Sequence, residues 1–379
     1  MIAVQFLTST TAGASFLLSF LLVNHPQKIN IVANRWLGLF IFTLGLSILE
    51  ISLSSNKFRV AHENWFEAIG ITRFLIAPFL YISIKHFTSI GHKSRLNLYF
   101  HLLPFFIVLL FRMPFFLTGK NVALSGYFAI LVFFILQITL PLQAIVYWVL
   151  SYLELQKHSL NLKSFSSNLN GTNLSWIRFF LFALLGLILL WFNMLYFNIR
   201  ILESYTPFCY LIAIFSLSYF ALRQGEIFPF TSKELADLKL IIRANPETSK
   251  KRKRLTEDRT DLLNDQLKSL IEIDKIFLQN ELSLPALAMK LGASSNEVSF
   301  LINETYGENF YTFINKYRIQ EAMFLLESEK YNKLNILGIA FQSGFNSKTT
   351  FNTAFKKITG KPPTAYIAEQ RKLHSISTQ

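Results

Sequence analysis

The sequence predicts an all-α chain in two halves, a bundle of seven membrane-crossing helices and then a water-soluble helical domain with two helix-turn-helix units. Three observations predict it. Hydrophobic residues make up 52% of the 379 residues and Phe alone occurs 39 times, more than a water-soluble globule carries. Charge is divided unevenly: residues 1–222 hold 14 Lys/Arg and 5 Asp/Glu, whereas residues 223–379 hold 23 and 18. The apolar residues run continuously in front, but behind residue 260 they recur every three or four positions.

Crossing a hydrocarbon core of ~30 Å takes about 20 apolar residues at ~1.5 Å each. Seven stretches suffice: Ala3–Val23, Trp36–Ser54, Phe66–Phe87, Leu96–Leu117, Leu124–Leu153, Leu174–Phe197 and Tyr205–Leu222. No basic residue precedes the first run, so it is expected to stay as a span. Pro78, Pro104 and Pro141 fall inside spans, where neighbouring helices can satisfy the freed carbonyls. The one cysteine, Cys209, excludes an intrachain disulfide or a cysteine-based zinc cluster.

Loop charge orients the bundle. With the C-terminal half in the cytoplasm, loops one, three and five lie inside and hold Lys28, Arg35, Lys93, Arg95, Lys157 and Lys163; Lys85 lies just before loop three. Loops two, four and six hold only Lys57, Arg59, Lys120 and Arg200, which agrees with the positive-inside rule. Polar groups within spans are costly and mark places where a signal could act. Glu50 and Arg73 are expected at similar depth on a helical hairpin and form a candidate ion pair. With Glu67, Arg112, Gln137 and Asn193 they make a candidate ligand pocket; the competing reading is that these groups hold helices together or reach for headgroups.

Residues 223–260 read as a linker. Thr231 or Ser232 can cap a helix to Arg243, and Lys250 to Arg254 is a run of five cations. That run suits a solvated tether, anionic lipid or DNA phosphate. Helical periodicity resumes at Asp261 with Leu263, Leu267, Leu270 and Ile271. Ser283 can cap a short helix from Leu284 to Leu291, Gly292-Ala293-Ser294 turns the chain, and Ser294 with Glu297 forms a capping box for the next helix. Asn309–Leu326 follows, roughly 26 Å long, with Phe310, Phe313, Ile314 and Tyr317 on one stripe.

The stretch from Asn335 to Tyr366 repeats the plan. Asn335 can cap the first helix, Gly344 suits a turn with positive φ, and Ser347 can cap the second helix. Phe351, Phe355 and Ile358 are expected on its buried face, and Gly360 and Pro363 stop it.

Ala340, Gly344, Phe345, Ser347, Phe351, Phe355, Lys356, Gly360, Pro363 and Tyr366 carry a resemblance to the second helix-turn-helix of the AraC/XylS family of bacterial transcription regulators. Ala288, Ser294, Val298, Ile302 and Gly307 are similarly placed to that family's first unit. The resemblance covers about Asp261 to Arg371 and implies a domain of residues 261–372 that binds double-stranded DNA through two recognition helices. By position the DNA-facing residues are Ser295, Asn296, Ser299 and Asn303, then Ser347, Lys348, Thr349, Asn352, Thr353 and Lys356. Phe300 and Thr353 stand where the family often has Arg, and Ile367 where Arg commonly follows the Tyr, so the operator is not carried over from relatives.

The expectation is a multi-pass protein of the cytoplasmic membrane: a sensor domain (1–222) responds to a small-molecule or envelope signal, and the tail acts on transcription. The partners are DNA, membrane lipid and, because residues 280–379 hold only 11 cations against 8 acids, a second copy of the chain to strengthen binding. The alternative is a transporter or channel with a regulatory DNA-binding tail. An enzyme is not expected. No His-Glu-x-x-His or Gly-x-Ser-x-Gly occurs, His86, His92 and His101 are scattered, and no cofactor or metal motif is present.

Overall fold

The computed structural model describes residues 2–25, 28–54, 56–89, 97–119, 126–167, 174–193, 197, 199–225, 227, 256–327 and 335–377. The expected linker helix and the Lys250–Arg254 run lie outside the described residues. Among those described there is no strand; the one β-bridge, Ser166 to Ser283, stands isolated. The chain divides into two compact units, residues 1–157 with 174–227 and residues 158–173 with 228–379. The second unit thus takes in part of the loop that precedes Leu174, which the sequence places with the first half.

The first unit holds α1 (Ile2–Val23), α2 (Ile31–Leu53), the short α3 (Asn56–Ala61), α4 (Glu63–Thr88), α5 (Leu98–Thr118), most of α6 (Gly126–Lys163), α7 (Ser175–Phe192) and α8 (Arg200–Arg223). All except α3 are long and apolar enough to cross a membrane by length and composition. Helix α6 runs ten residues past the expected Leu153. The continuation from Glu154 to Lys163 lacks Gly and Pro and includes three Leu and two Lys, good helix formers, so the helix outlasts its apolar run.

Small residues bring α1 and α2 together. A Cβ on Gly38 would lie 2.8 Å from Val23, and Ser19 Oγ donates to the Gly38 carbonyl at 2.8 Å. Polar ties then link further helices. Arg73 on α4 meets Glu50 on α2 at 2.5 Å. Lys85 on α4 meets Glu154 on α6 at 2.6 Å, and Trp148 Nε1 donates to the Leu181 carbonyl of α7 at 2.7 Å.

The second unit holds residues 158–167 and helices α9 (Glu257–Glu272), α10 (Leu284–Lys290), α11 (Ser295–Tyr306), α12 (Phe310–Glu327), α13 (Ile336–Gln342), α14 (Lys348–Thr359) and α15 (Pro363–Ser377), with a 3-10 turn at Ile276–Leu278. Its apolar residues form two cores. One gathers α9, α10 and α11 around Leu263, Leu287, Val298 and Ile302; the other gathers α13 and α14 around Ala340, Phe345, Phe351 and Phe355. Helix α12 serves both, giving Phe310, Phe313 and Ile314 to the first core and Ile319, Ala322 and Leu325 to the second. At 18 residues it is about 27 Å long. It is the shaft shared by both cores.

One residue leaves its expected place. Ile358 is 40% exposed, and Ala354 completes the buried face of α14 with Phe351 and Phe355. Ile358 shares the direction of Phe351 and Phe355 but lies in the last turn of α14, one residue from its end at Thr359, where the core around Phe351 and Phe355 no longer covers it.

Candidate DNA-reading faces and a cavity among the apolar helices

Both helix-turn-helix units are set by their caps. Ser283 accepts from the Ala286 N–H at the start of α10, and Asn335 Oδ1 from the Gly338 N–H at the start of α13. The second helices are capped by Ser294, which forms a full capping box with Glu297, and by Ser347, which accepts from the Thr350 N–H. Gly344, with φ +87°, makes the second turn. Arg259 of α9 braces the first turn by donating to the Gly292 carbonyl at 3.2 Å and approaching Glu297 at 3.8 Å.

The Glu297 carboxyl is held below its usual range, first by accepting from the Ser294 N–H, then by the Ser294 hydroxyl and the charge of Arg259. A carboxyl with a lowered folded pKa adds stability above its ordinary value of 4.5, and this is lost as pH falls through the folded value. Glu297→Gln is therefore expected to flatten the fall in stability of this domain below that pH. Ser294→Ala should cost about 1 kcal/mol at neutral pH. Denaturant unfolding as a function of pH checks both.

On α11, Asn296 and Asn303 are exposed and Ser299 is half-buried; their spacings of three and four place them on one outward stripe. The Asn303 amide folds back onto the Ser299 carbonyl at 2.8 Å. Ser295 is a correction. It is only 3% exposed, because it stands three and seven residues before the core residues Val298 and Ile302 and shares their inward face. Its side chain is thus withheld from a DNA-facing surface. On α14, Lys348, Thr349, Thr353 and Lys356 are exposed and Asn352 is half-buried. Thr349, Thr353 and Lys356 lie on the side away from Phe351 and Phe355, whereas Lys348 is exposed because it is the first residue of the helix. Ser347 is half-buried in its cap. Among the described residues neither Lys348 nor Lys356 has an acidic partner, so both charges are free to meet phosphate.

Sequence reasoning missed Arg318. It sits on α12 between the two cores at 1% exposure, with burial pulling its pKa down to about 10. Its guanidinium donates to the carbonyls of Phe277 at 2.7 Å and Gln279 at 2.6 Å, and lies 5.7 Å from the centre of the Phe345 ring. One side chain thus joins the 3-10 turn before α10 to the Gly344-Phe345 turn between α13 and α14. The legible signal was a cation four residues after Ile314, on the apolar stripe itself.

In the apolar unit, a cavity of about 400 Å³ opens between α2, α4, α6, α7 and α8. Phe40, Leu44, Leu80, Leu140 and Trp191 line its walls; Ser47, Arg73, Gln143, Tyr147 and Tyr210 supply polar edges. Of the six candidate pocket residues, only Arg73 lines it. Glu50 stands behind Arg73 as its ion partner, while Glu67 and Arg112 pair with each other at 3.6 Å, away from the lining. Gln137 is exposed, and Asn193 holds the chain after α7 by bonding both backbone groups of Ile199 at 3.3 Å. Gln143, two turns from Gln137 along α6, takes the inward position.

A family model described as a helix-turn-helix domain, of AraC type, matches residues 287–369. An uncharacterized HTH-type transcriptional regulator of Staphylococcus aureus strain COL is 29% identical over 109 residues, which is 29% of this chain and 14% of the relative. A regulator of the same description from strain MSSA476 matches with the same identity and the same shares. The chain therefore spans about 14% of the length of the curated relatives it matches. No solved structure matches the chain.

Proposed function

We propose that the chain is a membrane-bound, one-component transcription regulator, whose apolar unit receives a signal and whose helix-turn-helix unit binds specific DNA from the cytoplasmic side. The observation that carries the DNA half is the pair of capped helices α11 and α14, each with its core face buried and a polar face turned outward. Their shared shaft of about 27 Å is of the scale needed to seat two helices in successive major grooves, about 34 Å apart.

The membrane half is supported by where apolar residues lie. Helices α5 and α6 expose Phe100, Phe106, Ile107, Phe128, Ile135 and Ile138, large side chains that water would penalise and lipid would not. Topology agrees with this reading. Residues 158–167 group with the helix-turn-helix helices, which supports placing the loop after α6 on the same side of the membrane as that unit. The two further crossings of α7 and α8 return the chain to that side, which matches the orientation expected from loop charge.

The experiment is binding by the full chain in lipid nanodiscs to genomic fragments, across a salt series. Bound sites with steep salt dependence are expected; no retained fragment at any salt would overturn the reading. Two variants separate the roles. Lys348→Ala should weaken every sequence alike and reduce the salt slope by about one. Asn296→Ala should relax preference at one base position, by about 1–3 kcal/mol.

For the signal, the reading places an apolar ligand with a polar end in the cavity beside Arg73. Arg73→Gln is expected to abolish the transcriptional response to the stimulus while DNA binding in nanodiscs is unchanged. Reporter output from a bound promoter measures the first, and an unaltered response would remove Arg73 from the signal path.

A further inference from the structure

The loop after α6 ends in a short extended piece, Phe165-Ser166-Ser167, that is built into the DNA-binding unit. The Ser167 N–H donates to the Leu282 carbonyl at 3.3 Å, and the Leu284 N–H donates to the Phe165 carbonyl at 2.9 Å. Between these two bonds Ser166 and Ser283 face each other as an antiparallel bridge. The Ser167 hydroxyl adds a third bond, donating to the same Leu282 carbonyl at 2.6 Å. Burial is as complete as in a core: Phe165 and Ser167 are 0% exposed and Leu162 is 2%.

The position of this contact gives it consequence. The Ser167 carbonyl accepts from Asn315 Nδ2 at 3.4 Å and from Arg318 Nη1 at 3.5 Å. Arg318 is the side chain that joins the two helix-turn-helix units, and Nη1 also reaches Asn315 Oδ1 at 3.3 Å. Ser283, opposite Ser166, is the cap of α10 and so begins the first of those units. The piece therefore occupies the waist of the domain, where the spacing of α11 and α14 is set. Two of these bonds join main chain to main chain, and three use the Ser167 hydroxyl and the Asn315 and Arg318 side chains.

We propose that Phe165–Ser167 is the coupling element through which the signal-receiving unit sets DNA affinity. This rests on the proposed function above. Seated, the piece completes the carbonyl cage around Arg318, fixes the waist and pre-organises the two reading helices, so the seated form binds DNA more tightly. Only residues 168–173 and Leu174 separate it from α7, and Ser164 alone separates it from the end of α6. A displacement of α6 against α7 pulls on it directly, and withdrawal leaves Arg318 one acceptor short and the waist free to flex. Coupling of two sites through such a two-state element changes affinity by about 5- to 150-fold.

The test locks the seated form. In a Cys209→Ser background, Ser166→Cys and Ser283→Cys place two thiols at a non-hydrogen-bonded antiparallel pair, where Cα atoms approach to about 4.5 Å and a disulfide can close. The full chain in nanodiscs is oxidised, cross-linking is scored without DNA, and affinity for a bound genomic fragment is then compared between oxidised and reduced samples of the same protein. The cross-link is expected to form and to tighten binding at least about fivefold. In the otherwise unaltered chain, Phe165→Asp is expected to weaken binding. A cross-link that fails to form, equal affinities, or tighter binding by the reduced form would each overturn the proposal. Cross-linking in a chain that binds no DNA would overturn the function proposed above, and this coupling with it, while leaving the seat itself demonstrated.

Discussion

Gly344→Val is expected to abolish DNA binding and to unfold the second helix-turn-helix. Two effects add. The backbone at Gly344 has φ +87°, a region that a β-branched residue occupies only under strain. A Cβ there would also lie 2.7 Å from the Phe277 carbonyl oxygen, 2.9 Å from Leu278 Cα and 3.1 Å from Arg318 Nε. None of these can yield cheaply, because the Phe277 carbonyl is itself fixed by the Arg318 Nε–H at 2.7 Å. Strain and overpacking together amount to roughly 2–6 kcal/mol, against about 5–15 kcal/mol for a whole domain. Thermal unfolding of the full chain, followed by helical circular dichroism, should show a lower-temperature phase for the DNA-binding unit. Gly344→Ala should shift the same transition less, and a fragment-binding assay should lose the complex with Val.

Arg318→Leu should be about as damaging, for a different reason. A buried charge is often replaceable without loss when its partner is replaced too, since desolvation roughly cancels the attraction. Here the acceptors are the main-chain carbonyls of Phe277, Gln279 and Ser167, which no side-chain substitution removes. Leucine would leave them buried without that donor, and each hydrogen bond to a charged group is worth about 1.5–3 kcal/mol. The expected loss is roughly 3–6 kcal/mol, measured by denaturant unfolding of the helix-turn-helix unit. Burial leaves the guanidinium pKa at about 10, so the group stays charged at neutral pH and its hydrogen bonds persist there. Arg318→Lys should recover less than half of the stability, because one ammonium cannot reach three carbonyls spread over two chain segments.

Most of the fold is legible in the residues because helices announce themselves locally. Runs such as Trp36–Ser54 exceed what a soluble helix needs, and Ser294 with Glu297 or Asn335 with Gly338 mark helix starts within four residues. The reading faces follow from the same periodicity, which fails only where one residue decides. Ser295 is polar but shares the face of Val298, and Ile358 is apolar but turns to the rim. The cavity was less legible. Polarity within the apolar helices pointed to Gln137 and Asn193, but depth and facing decide which polar group lines a space, and Gln143 took that place.

By itself the sequence determined the two-part plan, the seven long apolar helices, the twin capped units and the polar stripes of α11 and α14. These depend on spacing along a few turns and on the free energy of apolar surface, both written in consecutive residues. Only the tertiary structure decided that α12 divides between two cores, that Arg318 binds them at the waist, and that Phe165–Ser167 is seated there. The last contact joins residues 115 and 151 positions apart, from Ser167 to Leu282 and to Arg318. Each of its hydrogen bonds ends on a backbone carbonyl, which every residue carries, so no pattern of side chains near Ser167 marks where the piece docks.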